Sequence, residues 1–229
     1  MSPGIRKGEP WGSPWSGPPD LSVSGTDAAL AAAVAAHPDS TIAWTPASGA
    51  DFARAVSLGG DAATRLGLSL PCDALAVRTG ASADGTEMLA VNAVVVGTGP
   101  DRTGRLTRNA NVRVTADGRL LHEGAATGVL VGNGQFLRGT DVVPRGHPGD
   151  GRVEIQVYAV PAGERSAMRR RLPHGTHVPH PGIRQASARS TVEVDVEGQE
   201  WPLELDGVEH PAVTSIEIRV VAQRFALLI

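Results

Sequence analysis

The sequence predicts an α+β protein in which a short α/β segment is followed by a longer antiparallel β region. Three observations lead to this class. The apolar residues are mostly Val, Leu, Ala and Ile, and aromatic residues make up only 3% of the 229 positions. The 28 glycines and 17 prolines supply many tight turns between short elements. From about Leu70 onward, short Val-, Ile- and Leu-rich runs alternate with Gly/Asp turns, which is typical of strands.

The first 69 residues carry the α/β part of this prediction. Residues 1–20 contain five prolines and no apolar period, which predicts an extended arm that Trp11 and Trp15 could pin to the rest of the chain. Residues 21–69 then predict a strand, a helix, a strand and a second helix. These elements are Leu21–Ser24, the segment from Asp27 to the His37-Pro38 stop, Thr41–Thr45 and the segment from Asp51 to the Gly59-Gly60 break.

Residues 70–221 carry the β part. The Asp117-Gly118 pair lies between two alternating runs and predicts a hairpin. Further runs alternate between apolar and polar positions, as strands with one buried face do. These runs are residues 152–160, 191–198 and 215–221, and residues 162–171 are the one helix predicted in this region.

Charge, cysteine content and hydropathy exclude several classes of function. A formal net charge of -3 and a pI near 6.2 create no field that would attract a polyanion, so we expect no nucleic-acid partner. The single cysteine, Cys72, excludes an intrachain disulfide and a thiolate zinc site, which fits a reducing compartment. No apolar run approaches the roughly 18 residues of a membrane span, and no secretion signal is visible. We therefore expect a cytoplasmic protein.

Two turns that follow predicted strands could bind phosphate. Each turn leads from a strand into a helix, and the first backbone N–H groups of a helix are free to bind an anion. The two turns are Ser24–Leu30 (SGTDAAL) and Thr45–Ala53 (TPASGADFA). For either turn by itself, an ordinary helix N-cap by Asp27 or Asp51 is the favoured alternative.

Taken together, the two turns resemble the nucleotide loops of the diacylglycerol and sphingosine kinase family, GGDGT followed by P-GT-x-ND-F-A. The residues that this resemblance assigns to nucleotide binding are Gly25, Asp27, Ser48, Gly49 and Asp51. The departures are Thr26 for the second glycine, Ala28-Ala29 for the closing Gly-Thr, and Ala50 for the asparagine. Each lost glycine adds a Cβ where the triphosphate approaches the backbone, so we expect weakened or altered nucleotide binding.

A longer stretch, VGNGQFLRGTDVVPRGHPGDGRVEIQVY, resembles the family's segment that leads from an asparagine and a glycine loop to an Asp-Gly pair before a strand. In the family this aspartate helps to hold a structural magnesium ion. The resemblance therefore implies a Mg²⁺ site at the Asp150 carboxylate and the main-chain carbonyl groups of His147 and Arg152, because a hard cation prefers oxygen ligands. A plain Asp-Gly turn without metal is an equally favoured alternative.

The last part of the chain resembles the family's end segment, which closes on an Asp-Gly-Glu turn. Asp206-Gly207 matches the start of this turn. The resemblance implies that Asp206 is the catalytic base that takes the proton from the lipid hydroxyl. Val208 stands where the family has glutamate, and Glu209 is expected to point to the opposite face of its strand.

Basic residues near the end of the predicted helix 162–171 could contact a lipid head group. An anionic head group could bind to Arg169, Arg170, Arg171 and His177. The favoured alternative is that the arginines compensate the dipole at the helix C-terminus. His174, His177 and His180 could suggest a metal site. Because they lie in a Pro/Gly loop without a nearby carboxylate or cysteine, we expect a solvent-facing loop instead.

The resemblance implies a fold like that of NAD kinase and diacylglycerol kinase. In this fold residues 21–69 form a partial nucleotide-binding domain, residues 70–221 form a β-sandwich, and the last strand, 222–229, returns to the first domain. A family member of ordinary length has a further strand-helix-strand segment before the first glycine loop. We therefore expect an open sheet edge that the arm or a second copy of the chain covers.

Two functions are compatible with these residues. One is a degenerate lipid kinase-like protein with weak or absent phosphoryl transfer that binds a lipid or a protein partner, and the missing glycines favour it. The other is an active lipid kinase that uses ATP and Mg²⁺. A membrane surface is an expected partner of either, with peripheral attachment of an otherwise cytoplasmic protein.

Overall fold

The structure, a computed structural model, describes residues 11–58, 67–80 and 87–229. The helices in these ranges are α1 (Asp27–Ala36), α2 (Asp51–Ala55) and α3 (Arg165–Arg171), which a short 3₁₀ helix (Leu172–His174) extends. The strands are β1 (Ser13–Pro14), β2 (Leu21–Gly25), β3 (Thr41–Pro46), β4 (Leu68–Thr79), β5 (Met88–Ala90), β6 (Ala93–Gly97), β7 (Ala110–Ala116), β8 (Arg119–Ala126), β9 (Gly128–Gly132), β10 (Phe136–Leu137), β11 (Thr140–Asp141), β12 (Val153–Tyr158), β13 (Ile183–Ala188), β14 (Thr191–Val196), β15 (Trp201–Leu205), β16 (Val208–Val213) and β17 (Ser215–Leu228). In the described part of the chain, no helix has the length and apolar content needed to cross a bilayer.

Most strands belong to two sheets. One sheet has nine strands, and its main path runs β1-β4-β17-β14-β7-β8. Strand β5 pairs with β4, and the parallel strands β2 and β3 join the sheet through β17. The other sheet has six antiparallel strands in the order β13-β12-β9-β6-β15-β16. A separate two-stranded hairpin joins β10 to β11.

The two sheets pack face to face as a β-sandwich. In β14 of the larger sheet, Val192, Val194 and Val196 are buried, whereas the two residues between them are exposed. These valines share one apolar cluster with Val131 and Ile155 of the smaller sheet. Alternation along the strands therefore supplies one buried face per sheet, and the predicted β region is confirmed.

The predicted hairpin at Asp117-Gly118 is also confirmed. Strands β7 and β8 pair up to Ala116 and Arg119, which leaves a two-residue loop. Both loop residues have positive φ, 49° at Asp117 and 74° at Gly118. A tight turn of this handedness matches the twist of the strands that it joins.

Strand β17 connects the β-sandwich to the α/β part. Its first half contributes Ile216 and Ile218 to the sandwich core, and its second half contributes Phe225 and Leu227 to a separate core under α1 and α2. Residues 226–228 pair in parallel with residues 41–43 of β3. The chain end thus reaches the α/β part and holds both cores in one sheet.

Both helices of the α/β part begin at the predicted aspartates, but their caps differ from the prediction. The N-cap of α1 is Thr26, whose Oγ1 accepts a hydrogen bond from the N–H of Ala29 at 3.3 Å. The N-cap of α2 is Ala50, which has no capping side chain. The alternative in which Asp27 and Asp51 cap their own helices is therefore wrong, because each aspartate is already the first helical residue.

The Pro-rich arm lies along β4. Strand β1 pairs with β4 at Ser69 and Leu68, and the indole N–H of Trp11 donates to the carbonyl oxygen of Pro71 at 3.2 Å. The Trp11 ring also meets the His147 ring edge-to-face, with 4.5 Å between centroids. The arm therefore covers the edge of β4, whereas β2 pairs only with β3 among the described strands.

Strand β15 was not anticipated from the sequence, and β16 was expected only as the strand that carries Glu209. Each carries a proline, and β16 exposes most of its residues at the edge of the smaller sheet. A tight turn at Asp206-Gly207, in which both residues have positive φ, connects the two strands. This turn forms one wall of the candidate site.

Candidate functional site

A cavity of about 270 Å³ lies where the starts of α1 and α2 face the turns after β5 and β15. It brings together Asp27, Ser48, Gly49 and Asp51 from the two predicted nucleotide loops with Asp206. The lining residues are Thr26, Asp27, Ser48, Gly49, Ala50, Asp51, Asn92, Ala93, Leu137, Arg138, Asp206, Gly207 and Val208. We call this cavity the cleft.

Gly25, which was predicted to bind nucleotide, does not line the cleft but supports the loop beside it. It ends β2 with a φ of +132°, a conformation that favours glycine, and an added Cβ would lie 3.0 Å from the Ala29 methyl group. Its carbonyl oxygen accepts the N–H of Ala47 at 2.7 Å. This bond ties the first loop to the second.

Asp27 caps the neighbouring helix. Its Oδ2 accepts hydrogen bonds from the N–H groups of Asp51 at 3.0 Å and Phe52 at 3.1 Å, which are the first two residues of α2. The Ala29 N–H of α1 is meanwhile bound to Thr26. Side chains of the protein thus occupy backbone donors at both helix starts, where the family resemblance implies a phosphate.

The second carboxylate oxygen of Asp27 is a buried acceptor without a partner among the described residues. The Asp27 side chain is only 6% exposed. Burial, together with the smaller effect of the charges of Asp206 and Asp51, raises the pKa of Asp27 to about 7 against the lowering effect of the two amide donors. When Asp27 is ionised, its negative charge therefore has no positively charged partner in the described part of the cleft.

Asp51 anchors α2 to the hairpin of β10 and β11. Its carboxylate accepts the N–H of Arg138 in a short hydrogen bond and the N–H of Gly139 at 2.7 Å. The guanidinium of Arg54, also in α2, donates to the carbonyl oxygen of Gly139 at 2.9 Å. Asp51 consequently serves to hold the loop in place.

Arg138 is a residue of the cleft that the sequence analysis missed. Its guanidinium pairs with Asp101 at 3.0 Å and with Glu204 at 2.5 Å, so its charge is already neutralised on the cleft wall. Glu204 is only 7% exposed and also pairs with Arg102 at 3.3 Å. No motif marks these residues in the sequence, because the four groups come from three distant segments.

The structure gives Asp206 a role in holding the fold, and its role as a catalytic base stays a prediction. Its Oδ2 accepts the N–H of Val91 at 2.7 Å, and its Oδ1 accepts those of Asn92 and Ala93, both at 2.9 Å. Burial raises the pKa of Asp206 to about 6, and the three amide donors limit the rise. A carboxylate that is held by three donors anchors the turn after β5, so removing it by Asp206→Ala should destabilise the fold.

Val208 places an apolar side chain in the cleft where the family resemblance expects glutamate. Glu209, the next residue, is not in the cleft lining and lies 4.0 Å from Arg102. The expectation that Glu209 faces away from the site agrees with this position. Among the residues that line the cleft, only Asp27 retains a carboxylate oxygen without a hydrogen-bond partner.

The predicted magnesium site at Asp150 lies outside the cleft lining. Oδ1 of Asp150 accepts the N–H of Arg152 at 3.0 Å, and the carbonyl oxygen of His147 accepts the N–H of Gly149 at 2.9 Å. Two of the three predicted ligands are thus already bonded within their own turn. The described residues also contain no group of three His, Cys, Asp or Glu side chains that could hold a metal ion. That finding concerns side chains only, whereas the predicted site combines one carboxylate with two main-chain carbonyl groups, so the Mg²⁺ site and the plain Asp-Gly turn both stay predictions.

Asp73 explains why this turn is firmly held. It is fully buried, and its carboxylate accepts the N–H of Gly151 at 2.7 Å and that of Gln223 at 2.8 Å. Gln223 has a φ of 51° and lies at the register shift of β17. Burial raises the pKa of Asp73 to about 6, and nearby Asp150 adds to the rise. One buried acid therefore joins the Asp150 turn to the bulge of β17.

His177 cannot contact a head group as predicted, because its side chain is fully buried. Its Nε2 lies 3.5 Å from Oε1 of Gln156, and burial lowers the pKa of the ring. The expectation of a solvent-facing loop is therefore wrong for His177. His180 pairs with Glu164 at 3.3 Å, so the three histidines do not converge.

Arg169, Arg170 and Arg171 are exposed at the end of α3. They form no salt bridge with any residue in the described ranges. Both interpretations, head-group contact and compensation of the helix dipole, stay predictions.

Comparison with known proteins identifies the family. The model of the family described as the YegS C-terminal NAD kinase beta sandwich-like domain matches residues 104–229. The chain belongs to this YegS, diacylglycerol kinase-like family. The predicted membership and the NAD kinase-like fold are confirmed, because the matched region contains most strands of the β-sandwich and the returning strand β17.

Three solved structures from Bacillus anthracis str. Sterne share the fold. They are named as diacylglycerol kinases, of which two carry the name provisionally, and each is 19% identical over 91% of this chain. Their TM-scores are 0.70, 0.72 and 0.67, with 78%, 78% and 76% of the other chains covered. At this identity the likeness shows the fold alone. No curated protein matches the sequence.

Proposed function

We propose that this YegS family member does not transfer phosphate. It instead binds a lipid or a protein partner with a fold shared with lipid kinases. One observation carries the proposal. The amides of Asp51 and Phe52 at the start of α2 are bound to Asp27, and both carboxylate oxygens of Asp51 and of Asp206 already accept backbone amides. A triphosphate would therefore compete with Asp27 for these amides, and Asp27 is the one cleft acid that keeps a carboxylate oxygen without a hydrogen bond among the described residues.

Phosphoryl transfer depends, more than most reactions do, on free amides and cations that hold the phosphates. The protein contributes positioning of the phosphates and stabilisation of their charge, and it forms few covalent bonds itself. In this cleft a triphosphate would meet Asp27, Asp51 and Asp206, while the one arginine on the wall is paired with Asp101 and Glu204. Repulsion without a free cation would disfavour binding.

An active ATP- and Mg²⁺-dependent lipid kinase is the second candidate. Its support is the cleft itself, which gathers residues from both predicted nucleotide loops and Asp206 around one cavity. The unpartnered oxygen of Asp27 could hold Mg²⁺, which would supply the positive charge that the acids of the cleft lack. The two candidates thus differ in whether Mg-ATP enters the cleft.

Thermal unfolding with and without millimolar Mg-ATP separates the two candidates. Because a ligand that binds only the folded state stabilises it, the second candidate requires a rise in melting temperature that grows with ATP concentration. We expect no rise. Transfer of labelled phosphate to diacylglycerol in mixed micelles is measured in parallel, and activity that disappears in Asp27→Asn would overturn the proposal.

A restored loop provides the reverse test. The triple variant Thr26→Gly, Ala28→Gly and Ala29→Thr rebuilds GGDGT around Asp27 and removes the Thr26 hydroxyl that occupies the Ala29 amide. We expect this variant to gain stabilisation by Mg-ATP. Val208→Glu in the unaltered loop is the matched control, and it should gain none, because it supplies a base without freeing any amide. If Mg-ATP stabilises both variants to the same extent, or neither, the hydrogen bonds at the helix starts are not what prevents nucleotide binding.

A further inference from the structure

The loop between β6 and β7 presents an isolated leucine to solvent. Arg105 and Leu106 are the two central residues of a tight turn, which the N–H of Thr107 closes by donating to the carbonyl oxygen of Gly104 at 3.1 Å. The N–H of Gly104 donates to Oγ1 of Thr107 at 2.8 Å and closes it a second time. Leu106 is 94% exposed, whereas the other exposed large apolar residues in the described ranges reach at most 53%.

A buried arginine holds this turn in place. Arg165 of α3 is only 3% exposed, and its guanidinium donates to the carbonyl oxygens of Thr107 at 2.7 Å and Gly104 at 3.3 Å and to Oδ1 of Asn109. Its Nε donates to the carbonyl oxygen of Val160 at 2.9 Å. Burying a guanidinium is costly unless its donors are all used, so the fold strongly favours this one loop conformation. The exposure of Leu106 is therefore built into the structure.

Two unpaired cations flank the exposed leucine. Arg105 and Arg108 are exposed and form no salt bridge within the described ranges, although Arg102 of the same loop pairs with Glu204. The sequence around the tip thus alternates a cation, an apolar side chain and a second cation. A surface that combines apolar and anionic groups complements this pattern.

We propose that the Arg105–Arg108 turn docks the protein on an anionic phospholipid bilayer. Leu106 enters the boundary between head groups and acyl chains, and the two arginines bind lipid phosphates. A nucleic acid would use the cations but leave the leucine in water, and one leucine is too small an anchor for a protein groove. The inference concerns a surface outside the cleft and holds whether or not the cleft transfers phosphate.

Docking at this turn would also orient the cleft. Asp101 lies in the same loop and pairs at 3.0 Å with Arg138 of the cleft wall. The turn and the wall are therefore linked through one ion pair, so the cleft is held at a defined position relative to the docked surface.

Sedimentation with vesicles tests the proposal on the full chain. The wild type should bind phosphatidylglycerol vesicles at low salt and should bind phosphatidylcholine vesicles far less. Leu106→Ser should weaken binding about tenfold, since a buried leucine side chain is worth at least that factor. Arg105→Gln with Arg108→Gln should weaken it by about fivefold for each charge removed.

Matched controls lie on β8 and β13, away from the turn. Leu120 is 53% exposed in β8 and follows Arg119, so Leu120→Ser removes an exposed leucine beside an arginine without touching the turn. Arg119→Gln with Arg184→Gln lowers the net charge by the same amount as the arginine pair of the turn. Neither control should change vesicle binding. Failure of the wild type to sediment with anionic vesicles, equal loss in the controls, or tighter binding to a nucleic acid than to vesicles would each overturn the proposal.

Discussion

Asp27 offers the most direct test of the electrostatics of the cleft. Its pKa is about 7 in the folded protein against an ordinary value of 3.8, mainly because it is buried beside Asp206 and Asp51. The folded state therefore holds this proton more tightly than the unfolded state does. The stabilisation is fully present below about pH 4 and is lost as the pH rises through about 7. Since a tenfold change in proton affinity is worth about 1.4 kcal/mol, the loss amounts to roughly 4 kcal/mol at pH 8.

Asp27→Asn should remove this loss and keep the helix cap. The amide oxygen of asparagine can still accept the N–H groups of Asp51 and Phe52, and it carries no charge. We expect a free energy of unfolding that exceeds that of the wild type by roughly 2–4 kcal/mol at pH 8 and matches it near pH 4. Asp27→Ala is the control, because it loses the cap and should fall below Asp27→Asn at every pH by about 1–2 kcal/mol.

Urea unfolding between pH 6.5 and 8 isolates the contribution of Asp27. The other strongly raised acids, Asp73 and Asp206, have pKa values of about 6 and are largely ionised in this window. The stability of the wild type should decline across it, whereas that of Asp27→Asn should stay level. A variant that is less stable than the wild type at pH 8, or that declines with the same slope, would refute the argument that Asp27 bears an uncompensated charge.

Three further predictions follow from the hydrogen bonds. Asp206→Ala should lower the free energy of unfolding by about 3 kcal/mol or more, because it leaves three amide donors without an acceptor; urea unfolding measures this, and a variant as stable as the wild type would support a free carboxylate instead. Arg165→Met should cost roughly 3 kcal/mol and speed hydrogen exchange in residues 104–109, whose unchanged protection would contradict the anchoring role. Trp11→Ala should cost about 1–2 kcal/mol by releasing the arm from Pro71 and His147, and differential scanning calorimetry should show a lower melting temperature; an unchanged one would mean that the arm is not held there.

Local patterns in the sequence were sufficient for most elements of the fold. Strand β14 and the hairpin at Asp117-Gly118 follow from alternation and from residues that tolerate positive φ, both of which act over a few neighbouring positions. Strand β15 escaped this reasoning, because Pro202 interrupts its pattern and is accommodated at a register shift against the edge strand β16.

The candidate site was predictable in its membership more than in its chemistry. The two loops and Asp206 do meet in one cleft, as the family resemblance implied. The roles of the acids could not be predicted from the sequence, because the hydrogen-bond donors that reach a carboxylate decide whether it anchors a turn or is free to act as a base. Asp206 meets the amides of residues 91–93, more than 100 positions away in the sequence. His177 was assigned to solvent for the same reason, since its burial beside Gln156 depends on tertiary packing.

The sequence by itself determined the α+β class, the kinship with lipid kinases and the residues that gather at the cleft, because these depend on periodicity, turn residues and motifs within short segments. Only the tertiary structure decided that Asp27 caps the other helix, that Arg138 is neutralised and that Leu106 stands exposed on a rigid turn. The physical reason is that hydrogen-bond saturation, burial and ion pairing are set by groups from distant segments, and these meet only when the sheets are assembled.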